Sequence, residues 1–174
     1  MDEATQVLAE ATLCVWNRLA GTLEGLTDDE IDWRPLPHAN SINVIVRHLR
    51  IEAQWHLDCL RRGEPMPLAV TPELQRQIDA VPLDFHANLS ALKALYTAFV
   101  ETLHGVTRKE LEERTAAAYG AGASPAEAHR LGYHQTVHVA THLGQIRMIR
   151  NLYSKSHGEA QRFFPDNPTY PRER

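Results

Sequence analysis

The sequence predicts an all-α protein, a four-helix bundle with a long connector between its second and third helices. Apolar residues recur at spacings of three and four along four long segments, which is the pattern of helices with one buried face. Prolines and polar residues separate these segments, and no strand pattern of comparable strength occurs. A chain of 174 residues fits one domain with a sizeable core. These observations together favour a helical bundle.

The first long helix is predicted over residues 4–25. Its stripe consists of Ala4, Val7, Leu8, Ala11, Val15, Leu19, Leu23 and Leu26. Thr27, followed by Glu30, resembles a capping box that can start one short helical turn. Pro35 and Pro37 exclude a longer helix there, because proline lacks an amide donor and restricts the residue before it.

The second long helix has clear signals at both ends. Ser41 can accept the first free amide hydrogens, and the predicted helix covers residues 42–62. Two arginines in its last turn, followed by Gly63, are typical of a helix end.

A connector of about twenty residues with four prolines follows, with room for one short helix. Such a connector can cross over, so the topology need not be simple up-and-down. The third long helix is predicted over residues 83–104. Thr107 and Glu110 can then cap one or two further turns, before Gly120 and Gly122 mark a loop.

The fourth long helix is predicted over residues 125–153. Ser124 is a good N-cap, and proline suits the first helical position that follows it. The bundle domain is therefore expected to cover residues 1–153. Residues 154–174 contain three prolines and little apolar content, which predicts an extended tail anchored by Phe163 and Phe164.

Composition excludes several classes of protein. The net charge of −4 and the absence of a dominant basic patch argue against a nucleic-acid partner. The N-terminus is acidic where a signal peptide is basic, and no apolar run approaches the roughly 18 residues of a membrane span. Cys14 and Cys59 lie in apolar-periodic segments, so reduced, buried thiols are favoured over a disulfide. We expect a soluble, cytoplasmic protein.

Histidines provide the main functional signal. His134, His138 and His142 are spaced by four, so they share one face of the fourth helix with a drift of about 40° per step. Two such neighbours can bind one metal ion, and the second helix offers His48 and His56 as a third ligand. The residues alone leave two alternatives equally open: a metal site, or incidental histidines at the edge of the core.

A family resemblance favours the metal site. The stretch HVATHLGQI at 138–146 matches the H-x-x-x-H-x-G-Q signature of the DinB-like, or YfiT-like, superfamily, and WRPLPHANSINVIVRHL at 33–49 resembles its earlier segment. The resemblance implies an antiparallel four-helix bundle of unusual connectivity, of the kind found in bacteria. It also implies a divalent metal ion held by His48, His138 and His142.

The roles of the residues near these histidines stay open. His134 could line the site or be an ordinary polar residue at its edge. Gln145 could form a hydrogen bond near the site or lie on the helix surface. Gly144 is expected to let a neighbouring helix approach closely. Glu52 and His56 could line the site, although a solvated helix face is favoured for them.

Three neutral imidazoles would leave a divalent ion with its full charge, which acidifies a bound water and deprotonates a bound thiol. Zinc or nickel is favoured, with iron or manganese as alternatives. Superfamily members include S-transferases that use bacillithiol or mycothiol. The resemblance therefore implies a metal-dependent enzyme that joins a small-molecule thiol to an electrophile. A metal-dependent hydrolase and a non-catalytic, stress-associated metal-binding protein are the alternatives. A homodimer formed through helix faces is also expected.

Overall fold

A computed structural model of the chain describes residues 2–67, 69–120, 130–160 and 162–163. Within these ranges the regular structure is helical, without a strand, so the predicted all-α class is confirmed. The helices are α1 (Glu3–Leu23), α2 (Asp28–Asp32), α3 (Ile42–Arg62), α4 (Pro72–Asp79), α5 (Phe85–Gly105), α6 (Arg108–Tyr119) and α7 (Arg130–Ser156). No helix in the described part of the chain is long and apolar enough to cross a membrane.

The predicted caps set the helix boundaries. The Ser41 hydroxyl accepts a hydrogen bond from the Val44 amide, and Gly63 ends α3 with a left-handed φ of 66°. Thr107 and Glu110 form a complete capping box at the start of α6. That helix has 12 residues, so the prediction of one or two turns was too short.

The chain after α7 turns back onto that helix. Helix α7 continues to Ser156, beyond the predicted end at residue 153, while its predicted start at Ser124 lies outside the described residues. The Phe163 backbone amide donates to Asn151 Oδ1 at 2.8 Å, and the side-chain nitrogen Nδ2 of Asn151 donates to the Phe163 backbone carbonyl. Phe163 therefore anchors the chain here, whereas Phe164 lies outside the described residues.

The four long helices surround the core in the order α1, α5, α3, α7. Helix α1 packs against α5 and α7, and α3 packs against the same two helices. The first two long helices, α1 and α3, therefore lie mainly across the bundle from one another, as do the last two, α5 and α7, whereas α3 and α5 are neighbours. This arrangement is the unusual connectivity that the resemblance implied.

Side-chain contacts give the helix directions. Arg50 donates to Asn88 and Arg61 donates to Thr102, so α3 and α5 run parallel. Because α5 lies beside α3 and runs parallel to it, the chain must first return along the whole length of α3, about 31 Å for its 21 residues. The connector makes this return along α3, where the Arg47 guanidinium donates to the Ile78 carbonyl at 2.9 Å. The long connector thus follows from the parallel pairing.

Helices α1 and α7 are the other parallel pair, so the antiparallel arrangement that the resemblance implied is wrong for these two contacts. Thr12 and Thr136 share a hydrogen bond of 2.8 Å, and Arg147 donates to Thr22 farther along both helices. The α1/α7 contact is close at Gly132, where an added Cβ would lie 2.7 Å from a Leu8 methyl carbon. Gly132 is therefore a glycine that permits close helix packing.

The two cysteines do not form a disulfide. Cys59 is buried, as predicted, and burial raises the pKa of its thiol to about 11. Cys14 is exposed, so its predicted burial was wrong. Cys14 lies on the outer side of α1, and apolar periodicity alone did not distinguish this position from a core position.

Candidate metal centre

Two ladders of polar side chains face each other across the α3/α7 contact. Helix α3 contributes His48, Glu52 and His56, and α7 contributes His134, His138 and His142. Spacings of four keep each ladder on one face of its helix. His48 contacts His138 and His142, whereas His56 contacts His134, which shows that the two helices run antiparallel. The ladders therefore meet at two levels, with Glu52 between them.

At the upper level three imidazoles converge. His138 Nε2 lies 3.0 Å from His48 Nε2 and 3.0 Å from His142 Nε2. One ring nitrogen from each of these residues lies within 4.8 Å of the others, a group that could hold a metal ion. All three side chains are partly buried. The structure thus brings together the three histidines that the family resemblance singled out.

Gln145 fixes the tautomer of His142. The His142 Nδ1–H donates to Gln145 Oε1 at 2.7 Å, because an amide oxygen can only accept. His142 Nε2 is consequently unprotonated in the neutral ring and presents a lone pair to the other two histidines. Of the two interpretations open for Gln145, the hydrogen bond at the site is correct.

The environment keeps the three rings neutral. Burial, followed by the nearby His142, lowers the pKa of His48. Burial and the other histidines lower the pKa of His138 to about 3. Burial also lowers the pKa of His142, although the bond to Gln145 opposes this shift. Neutral imidazole is the form that ligates metals. The lowered pKa values therefore disfavour protonation of the three rings and leave them able to bind a divalent cation.

The lower level has a different geometry. The His56 side chain is fully buried, and its Nδ1–H donates to the Glu52 carbonyl at 2.8 Å. Its ring packs edge-on against His134, with ring centroids 4.9 Å apart, and His134 Nδ1 lies 3.4 Å from the Tyr119 hydroxyl. Burial lowers the pKa of His56 to about 4. The expected solvated helix face is therefore wrong for His56, because α7 covers it.

Glu52 lines a cavity beside the upper level. Its side chain is 22% exposed and shares with His48 a cavity of about 260 Å³ between α3 and the connector. Trp55 and Ile78 form apolar walls of this cavity. Burial raises the pKa of the Glu52 carboxyl group. Glu52 is thus a site-lining carboxylate and not part of a solvated face, because the connector returns over this side of α3.

A second opening adjoins the upper level on the α7 side. It is a groove of about 560 Å³ between α7 and residues 35–45, and Gln145 and Gly144 both line it. A Cβ added at Gly144 would meet nothing within 4 Å. The expectation that Gly144 permits close helix approach was therefore wrong. That role belongs to Gly132, which the sequence did not single out.

Comparison with known families identifies the family to which the chain belongs. The model of a family described as MST, mycothiol S-transferase, matches residues 15–155, and the chain belongs to that family. The resemblance to the DinB-like and YfiT-like superfamily is thereby confirmed. Comparisons with curated proteins and with solved structures gave no match.

Proposed function

We propose that this member of the mycothiol S-transferase family is a metal-dependent enzyme that joins a low-molecular-weight thiol to an electrophilic carbon. One observation carries the proposal: three neutral imidazoles direct their Nε2 atoms to one point, beside two openings large enough for small molecules. Two openings at one centre suit a reaction with two substrates. The histidines themselves would remain unchanged in this reaction.

Each residue has a stated role in the proposed mechanism. His48, His138 and His142 hold the divalent ion, and Gln145 keeps His142 in the tautomer that can bind it. A divalent ion there supplies positive charge that lowers the pKa of a thiol at the site. Glu52 accepts the thiol proton. A sulfur–carbon bond forms, and the leaving group departs with the electron pair of its bond to carbon.

We infer zinc or nickel as the ion, ahead of iron or manganese, because the three nitrogen ligands include no carboxylate. The family description makes mycothiol the first thiol to test. Bacillithiol, which the superfamily resemblance implies, is the second. The electrophile is a small molecule.

The test is elemental analysis of protein purified without a histidine tag or added metal, followed by a thiol-transfer screen. We expect about one divalent ion per chain and loss of free thiol that depends on both thiol and electrophile. Chelation should abolish the reaction, and restoring the ion should recover it. Full activity in metal-free protein would contradict the proposal.

Hydrolysis is the second candidate, because Glu52 beside the site could equally accept a proton from water. Ester or amide cleavage without any thiol distinguishes this reaction from transfer. A metal-loaded protein that accelerates neither reaction would instead support a non-catalytic, stress-associated binding role.

The expected homodimer remains a prediction. Exposed apolar side chains on adjoining surfaces of α1 and α7 suit a second copy: Val7 and Val137 are each 58% exposed, and Tyr133 is 36% exposed. The third long helix, α5, offers less surface of this kind, since its large apolar residues are mostly buried. Sedimentation should show particles of twice the 19.7 kDa chain mass, and particles of single chain mass at micromolar concentration would contradict the dimer. Cytoplasmic location likewise remains a prediction.

A further inference from the structure

Two chambers lie side by side between α3 and the connector. The inner chamber is the cavity of about 260 Å³ that His48 and Glu52 line, so it opens directly onto one of the three converging imidazoles. The outer chamber has about 140 Å³, and its described lining residues include none of the three candidate ligands. Its lining consists of Arg50, Ile51, Gln54, Trp55, Gln77, Ile78 and Val81. A molecule that reacts at the metal centre from this side therefore occupies the inner chamber.

Apolar side chains form a partition between the two chambers. Ile51 and Trp55 of α3 and Ile78 of α4 line both chambers, so they lie between them. All three residues are half-buried. Trp55 has the largest side chain of the three and also packs against one of the two hydrophobic core clusters, which fixes its position. Trp55 therefore contributes the largest and most rigid part of the partition.

Helix α4 supplies the other side of the partition. It buries none of its residues, and Arg47 of α3 holds it in place. The Arg47 guanidinium donates to the Ile78 carbonyl at 2.9 Å and pairs with Asp79 at 3.8 Å. Because these contacts use the backbone of Ile78, shortening its side chain should widen the partition without releasing α4.

The inner chamber suits a compact apolar molecule. Its apolar walls are Val44, Ile51, Trp55, Val70 and Ile78. An apolar cavity of about 150 Å³ is enough to hold benzene. The inner chamber thus has room for one ring with a reactive carbon and its leaving group, and the outer chamber has room for about one ring more. The polar body of a low-molecular-weight thiol gains little from such walls, which leaves the inner chamber to the electrophile.

We propose that Trp55 restricts the electrophile to apolar molecules with a single ring, because it closes the inner chamber against the outer one. The proposal rests on the S-transferase function proposed above. The thiol sulfur forms a bond to the carbon held beside His48, the leaving group departs with the electron pair of its bond, and Glu52 takes the thiol proton. The ring of the electrophile extends toward Trp55, so a second ring in line with the first collides with the indole.

The test compares benzyl chloride with 4-phenylbenzyl chloride, which share the reactive carbon and the leaving group but differ by one ring. Metal-loaded full-length protein with mycothiol should favour benzyl chloride in kcat/KM. Trp55→Ala should shift this ratio toward the two-ring compound by about tenfold or more, and Ile78→Ala by about threefold. Both variants should keep their metal content, their helicity and the KM for the thiol.

Trp33→Ala is the matched control. Trp33 is also half-buried, but it packs edge-on against Tyr153 with ring centroids 5.7 Å apart and lines neither chamber. The control should keep the ratio of the unmodified protein. An equal shift in Trp33→Ala would overturn the proposal, since the change would then not depend on the partition.

A binding measurement separates the chamber from the chemistry. Benzyl alcohol and 4-biphenylmethanol are unreactive analogues of the two chlorides, and calorimetry without thiol gives their affinities. Trp55→Ala should improve the affinity for the two-ring alcohol relative to the one-ring alcohol by about tenfold. Size-dependent binding without turnover would support the role of Trp55 while contradicting the transferase function. If Trp55→Ala does not fold, Ile78→Ala decides, because α4 buries no residue. Unchanged ratios in the folded variants, or equal binding of both alcohols to the unmodified protein, would overturn the proposal.

Discussion

The two histidine levels between α3 and α7 have the same sequence spacing but different chemistry. At the upper level, His138 Nε2 lies 3.0 Å from the Nε2 atoms of both His48 and His142, next to open space. At the lower level, His56 and His134 pack ring against ring, and His56 donates to a backbone carbonyl. The His56 Nε2 atom is buried without a hydrogen-bond partner.

This difference shows that i, i+4 spacing places histidines on one face but does not make a site. The upper level has three imidazoles, a glutamine that fixes one tautomer, and adjoining openings. At the lower level only two imidazoles meet, and α7 buries His56 completely. Convergence of lone pairs and access for a ligand, rather than the number of histidines, make the upper level the candidate site.

The sharpest test of the comparison replaces one histidine at each level. His142→Ala should weaken metal binding by about 100- to 1,000-fold, because one of three ligands is lost. His134→Ala should keep the metal, since His134 points to Tyr119 and His56. Elemental analysis and chelator competition measure both variants, and circular dichroism should show retained helicity. The reverse pattern would place the metal site at the lower level.

Glu52 lies between the levels, and its assignment to the upper one can be tested by the pH dependence of turnover. Glu52→Gln should lower kcat by about 100-fold, as expected for loss of a proton acceptor. In the unmodified protein, the rate should fall as pH drops through the pKa of Glu52, which burial raises above its ordinary value. In Glu52→Gln, this fall of the rate at low pH should disappear.

Asp58→Asn is the matched control for Glu52. The two carboxylates lie on the same helix with side-chain exposures of 21% and 22%, but Asp58 pairs with Arg62 and does not line the cavity. The control should keep both the rate and its pH dependence. Equal losses in the two variants would show that Glu52 has no specific role.

The lower level should affect stability rather than metal binding. The pKa of His56 is about 4 in the folded chain and about 6.5 when unfolded, so the unfolded chain binds more protons between these values. Its contribution to the free energy of unfolding should therefore fall by about 2 kcal/mol from pH 7 to pH 5. Urea unfolding of chelator-treated protein at both pH values measures this loss.

His56→Gln should show a correspondingly smaller pH dependence of the free energy of unfolding. His104→Gln, at an exposed position, controls for the substitution itself. An unchanged pH dependence in His56→Gln would show that the buried ring does not resist protonation. Metal content should remain the same in both variants.

The smallest effect is expected at the residue that orients an upper-level ring. Gln145→Leu should lower metal affinity by about tenfold, because His142 loses the acceptor that fixes its tautomer. Gln145→Glu should retain the affinity, since a carboxylate accepts the same hydrogen bond. Chelator competition with zinc measures both variants. Equal loss in both would indicate that Gln145 acts through packing and not through its oxygen.

Much of the fold could be predicted from local signals. Ser41 and Gly63 define α3 because capping and left-handed glycine geometry depend on a few neighbouring residues. The spacing of four placed His134, His138 and His142 on one face, and the family resemblance singled out His138 and His142 among them as candidate ligands. The contact between Gln145 and His142 could have been predicted in the same way, since Gln145 lies three residues after His142 on the same helix.

Other features depend on contacts between residues distant in sequence. The sequence did not indicate that α3 and α5 run parallel, or that the connector covers Glu52. The sequence suggested close helix packing at Gly144 and did not single out Gly132. Gly132 permits the close contact with Leu8, whereas Gly144 lines a groove.

The sequence by itself therefore determined the helices, their caps and the faces on which the histidines lie, since these depend on backbone geometry over one or two turns. The tertiary structure alone decided which histidines converge, which are buried, and where the openings lie. Those outcomes depend on the register of α3 against α7, which brings His48 to His142 and His56 to His134. That register results from packing across the whole bundle, and no local stretch of sequence specifies it.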